Sequence, residues 1–159
     1  MAAALVIATI PTVLAAGGIF SDVPNGAWYA DAVDYVYEHG IMNGTSATTF
    51  SPNTPMTRAM LVTVLHRAAG SPSAAAGAAF SDVPSGAYYT DAVAWASANG
   101  IVTGYGNGHF GSNDPVSRTQ IAAILWRYAG SPSAEAGQDF ADESSMLLPP
   151  WIGRGRTAW

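Results

Sequence analysis

Arg58 and Arg118 stand at the first position of a helical pattern, the end of a helix where positive charge is disfavoured. A sequence chosen for helix stability alone would carry Asp or Glu there. A guanidinium beside unpaired helix N–H groups and the hydroxyl of Thr57 or Ser117 instead composes an anion site, since all three favour a carboxylate or phosphate. A salt bridge to Asp22 or Asp82 of the same chain would satisfy the same arginines, and electrostatics leaves both accounts open. Arg67 and Arg127 are different, because they fall in the last turn, where a cation favours the dipole and reaches terminal carbonyls.

Aromatic side chains supply a second kind of chemistry. Trp28-Tyr29 returns as Tyr88-Tyr89, and Tyr105 sits within the glycine-rich run Gly104-Tyr105-Gly106-Asn107-Gly108. Flat rings beside polar loops suit the faces of sugars. Core packing is the competing use of Trp28 and Tyr88. Catalysis has less support. His39, His66 and His109 are not at equivalent positions and form neither a metal triad nor a placed base. Asp22 and Asp82 could serve as general acids, but a cap or turn bond accounts for them more simply. No nucleophile motif occurs, so catalytic residues, metal sites and cofactors are all expected to be absent.

The positions of these residues follow from a repeat. Phe20-Ser21-Asp22-Val23-Pro24 returns as Phe80-Ser81-Asp82-Val83-Pro84 and, weakened, as Phe140-Ala141-Asp142-Glu143, a period of about 60 residues. Each copy reads as helix, loop, helix and linker, which makes the fold all-α. The first helix is predicted from near Trp28 to His39 and again from near Tyr88 to Asn99. Gly40 and Gly100 stop it, and Asp31 and Asp91 lie in its first turn. The connecting loop keeps Gly40-Ile41 and Gly44, then Phe50, matched by Gly100-Ile101, Gly104 and Phe110. Those glycines predict positive φ or close approach, and the apolar residues pin the loop.

The second helix follows Pro55 or Pro115. Ser117 with Gln120 completes a capping box, whereas Thr57 faces Met60 and caps alone. The predicted apolar stripe is Leu61, Val64, Leu65 and Ala68 in the first copy, then Ile121, Ile124, Leu125 and Tyr128 in the second. The linker Ser71-Pro72-Ser73-Ala74 returns unchanged at 131–134.

Composition narrows the classes further. The net charge is -5 and only 11% of residues are charged, so no basic surface exists to neutralise the phosphates of a nucleic acid. There is no cysteine, which excludes disulfides and thiolate metal sites. Residues 1–17 resemble the apolar core and small-residue end of a secretory signal, although no basic residue precedes them. The expected organisation is a leader at 1–17, repeats at 18–76 and 77–136, and a truncated or aberrant third start at 137–159. The last stretch shares nothing with the copies beyond Glu143, as a frame change, a truncated gene or a short native terminus would each produce. An apolar flank on the second copy is therefore expected, open to insolubility or to self-association that supplies a third repeat.

Phe-Ser-Asp-Val-Pro, the aromatic pair, Gly-Ile-x-x-Gly, Phe50-Ser51-Pro52 and Met56-Thr57-Arg58-Ala59 together resemble the S-layer homology domain, over roughly residues 20–135. The resemblance implies a non-catalytic module that anchors exported proteins to the bacterial envelope. Its partner would be a secondary cell-wall polysaccharide on peptidoglycan, anionic and often pyruvylated, and no nucleic acid. It further implies tandem helix-loop-helix repeats forming part of a pseudo-threefold bundle, with ligand grooves between copies. Arg58 and Arg118 would meet the anionic sugar, with Thr57, Ser117, Gln120, Trp28, Tyr88 and Tyr105 around them. Phe20, Asp22, Gly40 and Gly44, with Phe80, Asp82, Gly100 and Gly104, would hold the motif's shape. Met60 and Gln120 replace the motif's usual Glu. A helical scaffold for protein partners is the rival reading, and it explains the apolar composition without a ligand.

Overall fold

The computed structural model describes residues 18–74 and 80–133. The leader at 1–17 and the third-repeat start and tail lie outside them. The described residues hold four helices, α1 (Ala30–Glu38), α2 (Arg58–Ala68), α3 (Thr90–Ala98) and α4 (Arg118–Tyr128), and the fold is all-α. The repeated helix pairs expected from the sequence are present as α1 with α2 and α3 with α4. No helix among the described residues is long and apolar enough to cross a membrane. The chain divides into two compact units between Thr54 and Pro55, inside the first sequence repeat.

The first unit is α1 with the segments on either side of it. Phe20, Val23, Ala30 and Val33 are buried together, with Ile19, Tyr37 and Phe50 packed against them. Phe20 meets Tyr37 edge-on, with ring centroids 5.1 Å apart. The loop after α1 is tied back by Asp22, whose carboxylate accepts the Phe50 N–H at 2.8 Å and the Ser51 N–H at 2.7 Å. A carboxylate that accepts two backbone donors replaces what a strand pairing would otherwise supply. Gly44 must be glycine, because a Cβ would collide with the Thr49 carbonyl and the edge of Phe20.

The second unit contains α2, α3 and α4. Its core joins Leu61, Val62 and Leu65 of α2 to Ala92, Val93, Trp95 and Ala96 of α3, with Ile101, Val102, Phe110 and Ile124. The loop after α3 repeats the earlier tie, as Asp82 accepts from the N–H groups of Phe110 and Gly111, both at 2.7 Å. Gly104 faces Phe80 and the His109 carbonyl as Gly44 faces its own neighbours. The Ser117–Gln120 capping box forms in both directions, and Thr57 caps α2 through the Met60 N–H.

Two expectations need correction. The first helix of each copy starts at Ala30 and Thr90, later than predicted, because the aromatic pair before it lies in a turn. The stripe on α4 is only partly covered: Ile124 is buried, while Leu125 and Tyr128 are exposed. On α2 the matching Leu61 and Leu65 are buried against α3. Periodicity finds an apolar face, but the element that covers it comes from tertiary structure.

Candidate functional site

Arg58, in the second unit, is only 2% exposed. Its Nε donates to the Phe110 carbonyl at 3.0 Å and its Nη2 to the Thr103 carbonyl at 3.0 Å. The guanidinium lies 4.8 Å from the centroid of the Phe110 ring and 5.0 Å from that of Tyr105. Such a site suits Arg rather than Lys, because a planar cation can stack and donate in two directions at once. Burial pushes its pKa down, and the nearby Tyr105, Asp114 and Asp82 pull it back up.

The start of α2 is likewise committed. The Arg58 N–H donates to the Asp114 carbonyl at 2.9 Å and the Ala59 N–H to the Ser112 carbonyl at 3.1 Å. Thr57 takes the Met60 N–H, and its backbone bridges to Pro115. The open donors expected at this helix end are therefore occupied by the loop of the following repeat. Tyr105 completes the arrangement through its hydroxyl, which donates to Asp114 Oδ2 at 2.8 Å. Burial raises the pKa of that hydroxyl, and the bond to Asp114 raises it further.

Beside this pinned arginine lies a shallow surface recess, open to solvent and enclosing no room even for a water molecule, lined by Arg58, Val102, Thr103, Gln120, Ala123, Ile124 and Arg127. Two guanidinium groups and a carboxamide border it, and no acid lies in its lining. Gln120 Oε1 accepts the Ser117 N–H at 2.9 Å, which holds the side chain in place. Neighbouring positive charge from Arg127 also lowers the Arg58 pKa, so the two cations sense each other. The partly exposed members on α4 are Gln120, Ala123 and Arg127, a cation and a carboxamide beside a small apolar side chain, which suit an anionic group on a polar ligand.

Of the residues singled out from sequence, the recess gathers Arg58 and Gln120. Ser117 caps α4 from an exposed position, and Arg118 is exposed and does not line the recess. Trp28 is 94% exposed and rests edge-on against Tyr29, and exposed Tyr88 sits likewise on Tyr89. Neither ring is packed into a core, which corrects that alternative. Trp28 belongs to the first unit. Arg127, assigned by the sequence to the helix dipole and the terminal carbonyls, also lines the recess. Its spacing held the clue, because Gln120, Ala123, Ile124 and Arg127 follow the i, i+3, i+4, i+7 rule of a single helix face.

The S-layer homology domain model matches residues 19–59 and 79–122 of the chain, and the chain belongs to that family. Domains of this family are non-catalytic, bind cell-wall polymers and are associated with the cell envelope. Among the described residues no cluster of acids and histidines could hold a metal ion. An endoglucanase of Bacillus sp. (strain KSM-635) is 38% identical over 108 residues, 68% of this chain and 11% of that protein. The S-layer protein sap of Bacillus anthracis is 33% identical over 126 residues, 79% of this chain and 15% of the relative. A cell surface protein of Thermoanaerobacter kivui is 33% identical over 132 residues, 80% of this chain and 17% of the relative. The chain thus matches only a small part of the length of these relatives.

Proposed function

We propose that the chain is an anchoring module that binds an anionic secondary cell-wall polysaccharide through a carboxylate, such as that of a pyruvyl group. The observation that carries this reading is the recess bordered by Arg58, Arg127 and Gln120 with no acid in its lining. A carboxylate would meet the guanidinium of Arg127, which Arg58 backs from its buried place, while a sugar face rests beside Ala123. Thr57 and Tyr105 support the site by holding Arg58 and its loop. Arg118, Ser117, Trp28 and Tyr88 are candidates for further contacts along an extended polymer.

The similarity to both an endoglucanase and an S-layer protein supports the reading, because a segment shared by such different proteins is a module carried by each. In the same reading, residues 1–17 direct export, residues 18–76 and 77–136 are the binding repeats, and the protein resides at the cell wall.

Sedimentation with purified cell walls tests the proposal. The full chain is expected to co-sediment with intact walls and to remain in solution after the secondary polymer is stripped. Arg127→Gln should weaken retention about tenfold, the loss of one charge-assisted contact, while the melting temperature stays within a few degrees. Undiminished binding to stripped walls would refute it.

A further inference from the structure

The packing of α2 on α3 has both of its halves repeated elsewhere in the chain, each without the cover it has there. In the packed pair, His66 of α2 lies against Trp95 of α3 with ring centroids 5.2 Å apart. The His66 ring is oriented by pairing of its Nε2 with the Pro72 carbonyl at 2.9 Å. In α4, Trp126 occupies the place of His66 in the repeat, and its Nε1 donates to the Pro132 carbonyl at 2.8 Å. The ring is held in the same way, yet Trp126 is 48% exposed where His66 is 9% exposed. Leu125 is 45% exposed where Leu65 is 7% exposed.

The complementary half lies on α1, which repeats α3. Tyr35 stands in the place of Trp95 and is 55% exposed against 8%. It stacks on His39, with centroids 4.0 Å apart, which orients the ring. Ala32 is exposed where Ala92 is buried. Charge favours the match, since α1 carries Asp31, Asp34 and Glu38 with no base, and α4 carries Arg118 and Arg127 with no acid.

We propose that α4 is a docking face for α1 of a second copy of this chain, with Tyr35 against Trp126 as Trp95 lies against His66. Such a contact joins two different surfaces head to tail, so it closes into a ring or continues as a chain. In this contact Arg118 of one copy meets the loop carbonyls of Asn43 and Phe50 in the other, as Arg58 meets those of Thr103 and Phe110. The proposal does not depend on the glycan reading, because Trp126 does not line the recess.

The chain has no cysteine, which allows a direct test by paired single substitutions. Full-length Tyr35→Cys and Trp126→Cys proteins, mixed under mild oxidation, should form a disulfide between chains that neither forms alone. Light scattering of the unmodified chain should show a dimer or larger species that dissociates on dilution. Trp126→Ala should weaken that association by tenfold or more, whereas Trp126→His, which restores the residue found in α2, should retain most of it. A monomer at every concentration up to about 1 mM overturns the proposal. So does equal cross-linking by either single variant, or a chain carrying both substitutions that links only to itself.

Discussion

At the scale of single residues, a cation at the start of a helix must find compensation for its unfavourable place in the dipole. The sequence exposes that anomaly at Arg58 and Arg118 but not its resolution. For Arg58 the resolution is two loop carbonyls and two aromatic rings. Backbone carbonyls carry no sequence signature, so a carboxylate partner such as Asp82 looked equally good beforehand. Asp82 is instead engaged with backbone N–H groups. Arg58→Ala leaves both carbonyls without these donors in a buried place and should cost on the order of 3 kcal/mol. Thermal unfolding followed by circular dichroism would show it, and a melting temperature equal to that of the unaltered chain would contradict the assignment. Loss of wall binding in this variant reports on folding, which is why Arg127 is the better probe of the recess.

At the scale of elements, the helices, their caps and the glycine stops were legible, because propensity and capping are local chemistry. The cover over each helix face was not. On α2 Leu61 and Leu65 are buried against α3, whereas on α4 Ile124 joins that core while Leu125 and Tyr128 remain exposed. Trp28 and Tyr88 were ambiguous for the same reason, since aromatic type does not distinguish core from surface. Each loop between the helices of a repeat is tied in part by one carboxylate, and this gives it a pH dependence. Burial pushes the Asp82 carboxyl up, but the N–H groups of Phe110, Gly111 and Ser112 outweigh it and hold its pKa below the ordinary carboxylate value. At Asp22 the Phe50 N–H is the largest influence and lowers the pKa, burial opposes it, and Ser51 adds to the lowering.

A depressed folded pKa contributes stability that is present above the unfolded value, about 4, and lost as pH falls through the folded one. Asp82→Asn should therefore lower the urea midpoint at pH 7, and its difference from the unaltered chain should shrink as pH approaches 3. A difference that is constant with pH would show that the charge on Asp82 is irrelevant to the loop.

At the scale of the whole molecule, family membership was legible because several separated motifs recur in register, a pattern that no single residue carries. The recess was harder to foresee, because it draws on the start of α2, the loop after α3 and one face of α4. It joins residues that are distant in sequence, and of these only Arg58 and Gln120 are expected from the sequence at a ligand site. The family is one of cell-wall-binding modules, and the proposed function rests affinity on a few cations in a chain that is acidic overall. That makes the chemistry of the polymer decisive. Calorimetric titration of the full chain with the purified polymer, before and after its carboxylates are reduced to alcohols, tests this most directly. Binding should fall at least tenfold on reduction, because the neutral polymer forfeits its charge-assisted contacts with the guanidinium groups. Equal affinity for both forms would contradict the account.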